Sequence, residues 1–145
     1  MKCVGIDYGL ARVGLAVSDP EGRIAFPLDT LHMSSFPDRG AMLDAIARRI
    51  ADEGAEAVVM GLPVLADGGV TTTTRQVVNA TRRLKRRVPL PFYYASELLS
   101  SETAWSDLRD AGCPPERRRA VLDSHAAACV LQTFLDASPE DRRMA

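Results

Sequence analysis

Three acidic residues stand where an apolar side chain would be expected. Asp7 follows the apolar run of residues 3–6, and Glu97 comes just after a second apolar run at residues 90–95. Asp123 is followed three, four and seven residues later by alanine, alanine and valine. A helix through that segment places Asp123 on its apolar stripe. Because a lone buried carboxylate is costly unless it is paired or bound to a metal, these positions point to chemistry.

A shared metal site would explain the three carboxylates together. Strands that run parallel end at the same edge of a sheet, so Asp7 and Glu97 are expected to converge there, with Asp123 reaching them from its helix. Packed carboxylates repel one another, and a hard divalent cation relieves that repulsion. Oxygen-only ligands suit Mg²⁺ or Mn²⁺. Two such ions can hold a phosphodiester for in-line attack by water, which makes phosphodiester hydrolysis the leading hypothesis.

Each acid also has an ordinary structural interpretation. Asp7 is suited to starting a turn before the Tyr-Gly pair that follows it. Glu97 is suited to the first turn of a helix, where an acid favours the helix dipole. Asp123 can pair with Arg119 or His125 within its own helix. Spacing alone leaves these alternatives open.

The elements that must position these residues follow from periodicity. Alternating or continuous apolar runs predict five strands, and 3.6-residue periodicity predicts four helices. The turn DPEG at residues 19–22 separates the second and third strands, and Pro27 marks the third as an edge strand. The strands are predicted at residues 2–8, 13–17, 24–31, 55–63 and 90–95, and the helices at residues 38–53, 71–88, 101–111 and 116–136.

This order predicts an α/β fold. Three antiparallel strands come first, and βα alternation then adds parallel strands, giving one mixed five-stranded sheet with helices on both faces. Residues 1–136 are expected to form a single domain, and residues 137–145 a frayed tail.

Composition narrows the functional class. The chain has 145 residues with 18 basic and 19 acidic side chains, a formal net charge of −1. Any nucleic-acid binding must therefore rest on a local basic patch. The three cysteines are far apart and predict reduced thiols in a cytoplasmic protein. No apolar run approaches the roughly 18 residues of a membrane span.

The opening segment GIDYGLARVGLAVSD at residues 5–19 resembles the first motif of the YqgF/RuvX family. This family belongs to the RNase H-like superfamily and is assigned to Holliday-junction resolution or to pre-16S rRNA maturation. The resemblance continues in VVMGLPVLADG at residues 58–68, in SELLSS at residues 96–101 and in the segment of residues 111–136. It thus covers nearly the whole chain.

The resemblance implies an RNase H-like fold and a nuclease that depends on Mg²⁺ or Mn²⁺. Asp7 matches the family's first-strand aspartate, Glu97 the glutamate of its second acidic motif, and Asp123 the aspartate of its last helix. These three would be the catalytic residues and metal ligands. Arg12 matches a family arginine and is a candidate for gripping a phosphate.

One motif departs from the family pattern. Where the family usually shows Asp-Glu-Arg, this chain has Ser96, Glu97 and Leu98. A second carboxylate and a guanidinium suited to bidentate phosphate contact are therefore missing. This departure raises an alternative, a non-catalytic nucleic-acid-binding protein that keeps the fold.

Two basic groups lie elsewhere in the chain. Residues 82–87 carry five cations at the end of the second helix, where they also favour the helix dipole. Arg117, Arg118 and Arg119 precede Asp123 by about one turn, at a helix start that disfavours cations. They are expected to bind nucleic acid near the metal site. Among the aromatic residues, Tyr93, Tyr94 and Trp105 can stack on bases, although core packing is expected for at least one of the two tyrosines.

The expected partner is structured RNA or branched DNA, with no membrane and with a monomer or weak homodimer. Symmetric resolution of a junction needs two active sites and thus a dimer. The first motif also resembles the phosphate hairpin of actin-like ATPases, which predicts an alternative, a nucleotide switch. Those proteins close a second lobe over the nucleotide, and 145 residues do not supply one.

Overall fold

The computed structural model describes residues 1–62, 72–96 and 115–145. Its strands are β1 (Cys3–Tyr8), β2 (Arg12–Ser18), β3 (Ala25–His32), β4 (Ala57–Leu62), β5 (Phe92–Ser96) and β6 (Arg143–Met144). These six strands form one sheet in the order β3-β2-β1-β4-β5-β6. Pairing is antiparallel for β1–β2, β2–β3 and β5–β6, and parallel for β1–β4 and β4–β5.

Three helices of the described part cover the two faces of the sheet, as predicted. They are α1 (Arg39–Asp52), α2 (Thr72–Lys85) and α3 (Pro115–Asp136). The predicted helix at residues 101–111 lies outside the described residues. The predicted mixed sheet is confirmed in its first five strands, and the sixth strand is an addition.

The two apolar layers follow from strand alternation. On one face, Ile6, Leu15 and Met60 pack with the apolar stripes of α1 and α2. On the other face, Cys3 and Val59 pack with the α3 residues Ala127, Leu131 and Phe134, among others. Successive residues of β1 therefore alternate between the helices α1 and α2 on one side and α3 on the other.

The edge strand β3 contains a β-bulge next to its proline. The register with β2 passes from Leu15↔Asp29 to Ala16↔Pro27, so one residue of β3 is left unpaired as a bulge. Proline has no N–H to donate, and both an edge strand and a bulge tolerate that loss. The predicted edge position of Pro27 is confirmed.

The expected frayed tail is wrong for most of residues 137–145. A 3₁₀ turn spans Pro139–Asp141, and Arg143 then pairs with Tyr94 on the open edge of β5. The Ala145 N–H donates to the Phe92 carbonyl at 2.9 Å, and the Arg142 guanidinium lies 4.5 Å from the Phe134 ring centroid. An open strand edge supplies unpaired backbone groups, which is why this short polar segment becomes ordered.

Candidate functional site

Asp7 lies near the carboxyl end of β1, one residue before the strand ends. Alternation along the strand places it on the α3 face, the face of Cys3 and Gly5. Its side chain is half-buried, and its neighbour across β2 is Gly14, which has no side chain. A pocket of about 250 Å³ opens beside it, lined by Asp7, Gly9, Leu10, Ala11 and Arg12.

The β1–β2 hairpin brings Arg12 to the same pocket. The Gly9 N–H donates to the Arg12 carbonyl at 3.0 Å and closes a very tight turn. A Cβ atom at Gly9 would lie 2.7 Å from that carbonyl oxygen, so any other residue would force the turn open. Asp7 pairs with Gly14, and alternation along β2 places Arg12 on the same face of the sheet as Gly14. Asp7 and Arg12 therefore line one pocket on one face, and a carboxylate with a guanidinium is a combination suited to holding a phosphate with a bound cation.

Arg39, the first residue of α1, fastens this hairpin to the rest of the fold. One guanidinium nitrogen, Nη1, donates to the Tyr8 hydroxyl at 2.9 Å, and the other, Nη2, donates to the Leu10 carbonyl at 2.9 Å. Tyr8 adjoins Asp7 in the chain, and Leu10 lines the Asp7 pocket. Sequence reasoning missed this role, because no periodic signal marks an arginine at a helix start as a partner of a distant loop.

Helix α3 crosses β1 in direct contact. A Cβ atom at Gly5 would lie 2.7 Å from the Leu131 Cβ and 3.1 Å from the Ala127 carbonyl oxygen. Nearer the end of the helix, Leu135 approaches Gly22, whose added Cβ would lie 3.8 Å from Leu135 Cδ2. Gly22 lies in the turn after β2, at the amino end of β1. Helix α3 therefore runs antiparallel to β1, with its earlier turns nearer the carboxyl end of the strand.

Because α3 runs antiparallel to β1, the remaining predicted residues of this helix lie towards the carboxyl end of β1. Asp123 precedes Ala127 by one helical turn, and Asp7 follows Gly5 by two strand residues. One turn rises about 5.4 Å and two strand residues about 6.6 Å, so the backbone positions advance together towards the same edge. Residues 117–119 lie in the first turns of α3. The side chains of Asp123 and of Arg117, Arg118 and Arg119 lie outside the described part.

Glu97 lies outside the described residues. It follows Ser96, the last residue of β5, and Ser96 pairs with Leu62, the last residue of β4. Continuing the β1–β4 register from Ile6↔Met60 brings Leu62 level with Tyr8. The end of β5 that leads to Glu97 is therefore level with the end of β1 that carries Asp7.

No group of three His, Cys, Asp or Glu side chains able to hold a metal occurs among the described residues. Two of the three predicted ligands, Glu97 and Asp123, have side chains outside that set. The described residues supply one half-buried carboxylate at a pocket, that of Asp7. Its only possible metal-ligand atoms are oxygens. That donor chemistry fits a hard divalent cation.

The remaining candidate residues, aromatic and basic, lie either in the packed core or on the surface. Tyr93 packs on the α3 face, with its ring centroid 5.0 Å from that of Phe134, which confirms the expected core role for one tyrosine. Arg82, Arg83 and Lys85 stand in the last turn of α2, as expected. Arg87 is paired with Asp44 at 2.6 Å. Trp105 and Leu98 lie outside the described residues.

A family model described as RuvX, Holliday junction resolvase, matches residues 1–137. The chain belongs to this family. The match includes the hairpin with Asp7 and Arg12 and the whole of α3.

Relatives of similar length agree over almost the full chain. A protein of Nitratidesulfovibrio vulgaris strain Miyazaki F is 50% identical over 143 residues, which cover 99% of this chain and 98% of the relative. A protein of Oleidesulfovibrio alaskensis is 46% identical over 144 residues, covering 99% and 97%. Both are named as candidate pre-16S rRNA nucleases.

The fold is RNase H-like, as predicted, and matches that of RuvC. Thermus thermophilus RuvC, in a complex with a Holliday junction substrate, superimposes with a TM-score of 0.64 at 18% identity, covering 100% of this chain and 99% of RuvC. Among the described residues, no helix is both long and apolar enough to cross a membrane.

Proposed function

We propose that this protein is a divalent-metal-dependent endonuclease that hydrolyses phosphodiesters in structured nucleic acid. The observation that carries the proposal is the contact between β1 and α3 through Gly5. It packs the strand of Asp7 against the helix of Asp123, and the backbone positions of both acids lie from this contact towards the same edge of the sheet.

Each residue has a definite part in the proposal. Asp7, Glu97 and Asp123 hold Mg²⁺ or Mn²⁺, and Arg12 holds the phosphate beside Asp7. When bound, the metal would polarise the phosphoryl oxygen and lower the pKa of attacking water. Arg117, Arg118 and Arg119 neutralise neighbouring phosphates along the substrate.

The 5′ end of pre-16S rRNA is the substrate we favour. Relatives that share almost half or more of their residues over the whole chain are named for pre-16S rRNA. A monomer with one active site suffices for trimming an RNA end, and the work would be done in the cytoplasm. The family description supports a second candidate, the four-way DNA junction, which would require a dimer.

The absence of the family's Asp and Arg beside Glu97 is expected to weaken substrate binding more than it slows the reaction. Ser96 and Leu98 replace a second carboxylate and a guanidinium, while the positions of all three proposed ligands keep their acids. The description of the family and the names of the relatives support catalysis over the non-catalytic alternative.

The test compares two labelled substrates in parallel: a precursor 16S 5′-end RNA and a four-way DNA junction. Each is incubated with the full-length protein and Mn²⁺, Mg²⁺ or EDTA. We expect the RNA to be cut with either metal and to remain intact in EDTA. Cutting of the junction alone would support the second candidate. A protein that binds both substrates and cuts neither would overturn the proposal.

A further inference from the structure

A second basic feature lies on the face of the sheet opposite Asp7. A groove of about 390 Å³ runs between α2 and the edge formed by β5 and β6. Its apolar and aromatic side chains come from β4, α2 and β5, and its charged side chains come from α2 and β6. We call it the arginine groove and define it by Leu62, Arg75, Val78, Arg82, Tyr94 and Arg143.

Its charge is concentrated and not neutralised within the described part of the chain. Arg75 and Arg82 are seven residues apart on α2, so they stand on one side of the helix about 10 Å apart. Arg143 faces them from β6. All three are exposed, and among the described residues no carboxylate forms an ion pair with any of them. By contrast, Arg87 further along the chain is paired with Asp44.

The groove also carries a stacked aromatic and guanidinium pair. The Arg143 guanidinium lies 5.8 Å from the centroid of the Tyr94 ring, within the range of a cation–π contact. Because Tyr94 is half-buried and Arg143 exposed, the planar guanidinium is the outer member of the pair. Unpaired bases stack on such planes as well as on aromatic rings. Spaced cations with a stacking platform are typical of sites for single-stranded nucleic acid.

The position of the groove connects it with the proposed active site. Leu62, which lines the groove, is level with Tyr8 when the β1–β4 register is continued, and it lies on the strand next to β1. Asp7 and the groove thus share the carboxyl edge of the sheet but open on opposite faces. The proposed active site and the groove therefore lie on the neighbouring strands β1 and β4 at the same end of the sheet.

We infer that the arginine groove binds a single-stranded segment of nucleic acid that flanks the cleaved phosphodiester. This inference rests on the proposed nuclease function and adds to it a separate anchor for the substrate. Arg75 and Arg82 contact successive parts of the phosphate backbone, and Arg143 with Tyr94 carries a base. Phosphate and base stacking are common to RNA and DNA, so both are tested.

The experiment measures binding without cleavage. Fluorescein-labelled 12-nucleotide oligo(U) and oligo(dT) are titrated with the full-length protein in EDTA, and anisotropy is followed over a series of salt concentrations. The variants are Arg75→Ala, Arg82→Ala and Arg143→Ala. Arg48→Ala, an exposed arginine of α1, is the matched control.

We expect each groove variant to weaken binding by about three- to tenfold. Arg75→Ala and Arg82→Ala should also reduce the slope of log K against log salt by about 0.7, the value for one single-strand phosphate contact. Arg143→Lys should keep the salt slope and lose affinity, because it retains charge without a planar group. Tighter binding of oligo(U) than of oligo(dT) would assign the groove to RNA, and the reverse to DNA.

Three results would overturn the inference. The groove variants could bind as Arg48→Ala does, a 12-base-pair duplex could depend on the same arginines as strongly, or a poly-glutamate peptide could compete equally at equal charge. Because cleavage is not measured, loss of the proposed nuclease function would leave this result standing. Equally, a failure of the groove would leave the cleavage test intact.

Discussion

The Cβ atom of Leu131 occupies the space directly over Gly5, where an added Cβ would be only 2.7 Å away. Glycine therefore sets the distance between β1 and α3. Asp7 and Asp123 lie on these two elements, each towards the same edge from the contact. Gly5, a small residue at the centre of the sheet, thus sets the distance between the backbone positions of Asp7 and Asp123.

Replacing Gly5 with alanine tests this spacing. The obstructing atoms are a Cβ and a backbone carbonyl, which cannot rotate away, so α3 must move. We expect Gly5→Ala to lower the free energy of unfolding by about 1–3 kcal/mol, as overpacking does. Cleavage should fall further than the folded fraction does. Urea denaturation and cleavage of the preferred substrate provide the two measurements.

Gly40→Ala is the matched control for that variant. Its nearest new neighbour is the Asp38 carboxylate oxygen at 3.3 Å, at an exposed helix start. Its stability should change by no more than about 1 kcal/mol. Equal stability and activity of Gly5→Ala and wild type would show that the β1–α3 distance is not restrictive.

Arg39 is expected to act as a positioning residue for the Asp7 hairpin. Arg39→Ala removes the bonds to the Tyr8 hydroxyl and the Leu10 carbonyl, both partly accessible to water. Stability should fall by only about 1 kcal/mol. The kcat for cleavage should fall about tenfold, because the pocket loses its fixed geometry. Arg39→Lys, which keeps one donor group, should recover part of kcat.

Arg48→Ala on the same helix serves as the control for Arg39. A change confined to KM, or an equal loss of kcat in Arg48→Ala, would exclude a positioning role for Arg39. Hydrogen exchange of the Leu10 and Ala11 amides should increase in Arg39→Ala and not in the control.

Asp19 should make stability depend on pH in the acid range. The Ile24 and Arg23 N–H groups donate to its Oδ1 at 2.9 and 2.7 Å and hold the pKa of Asp19 below its usual 3.8. Since the folded pKa is the lower one, the contribution is complete above 3.8 and is lost as pH falls through the folded pKa. The advantage of wild type over Asp19→Asn in unfolding free energy should be constant near neutral pH and shrink in acid.

Urea titrations of both proteins between pH 7 and about pH 2 measure this difference. Asp52→Asn, an exposed acid-to-amide change in α1, supplies the background. An advantage of wild type that grew as the pH fell would contradict the assignment.

Local patterns were sufficient to predict most of the fold. The first hairpin, the DPEG turn and the apolar stripe of α1 each depend on residues close together in the chain, and all three are present. β6 could not be predicted, because two residues carry no periodicity. It is held by tertiary contacts, among them its pairing with the open edge of β5 and the contact of Arg142 with the Phe134 ring.

The candidate site likewise has residues that local sequence patterns predict and residues that they do not. Apolar flanks distinguished Asp7, and the alanine stripe distinguished the helix of Asp123. The contact of Arg39 with Tyr8 joins residues 31 positions apart in the chain. Arg143 lines the same groove as Arg75 and Arg82 only because the sheet places β6 near α2. Such arrangements depend on tertiary structure, and no local sequence signal reveals them.

The most direct test of metal-dependent hydrolysis at Asp7 is the single-turnover cleavage rate of wild type, Asp7→Asn and Asp52→Asn in Mn²⁺ on the preferred substrate. The amide keeps the size of Asp7 and removes the charge that would hold the cation, so we expect the rate to fall about a hundredfold or more. Asp52→Asn should cut at the wild-type rate, and all three proteins should unfold at similar urea concentrations. Cleavage by Asp7→Asn at the wild-type rate would contradict the assignment of Asp7 as a metal ligand and place the reaction elsewhere in the molecule.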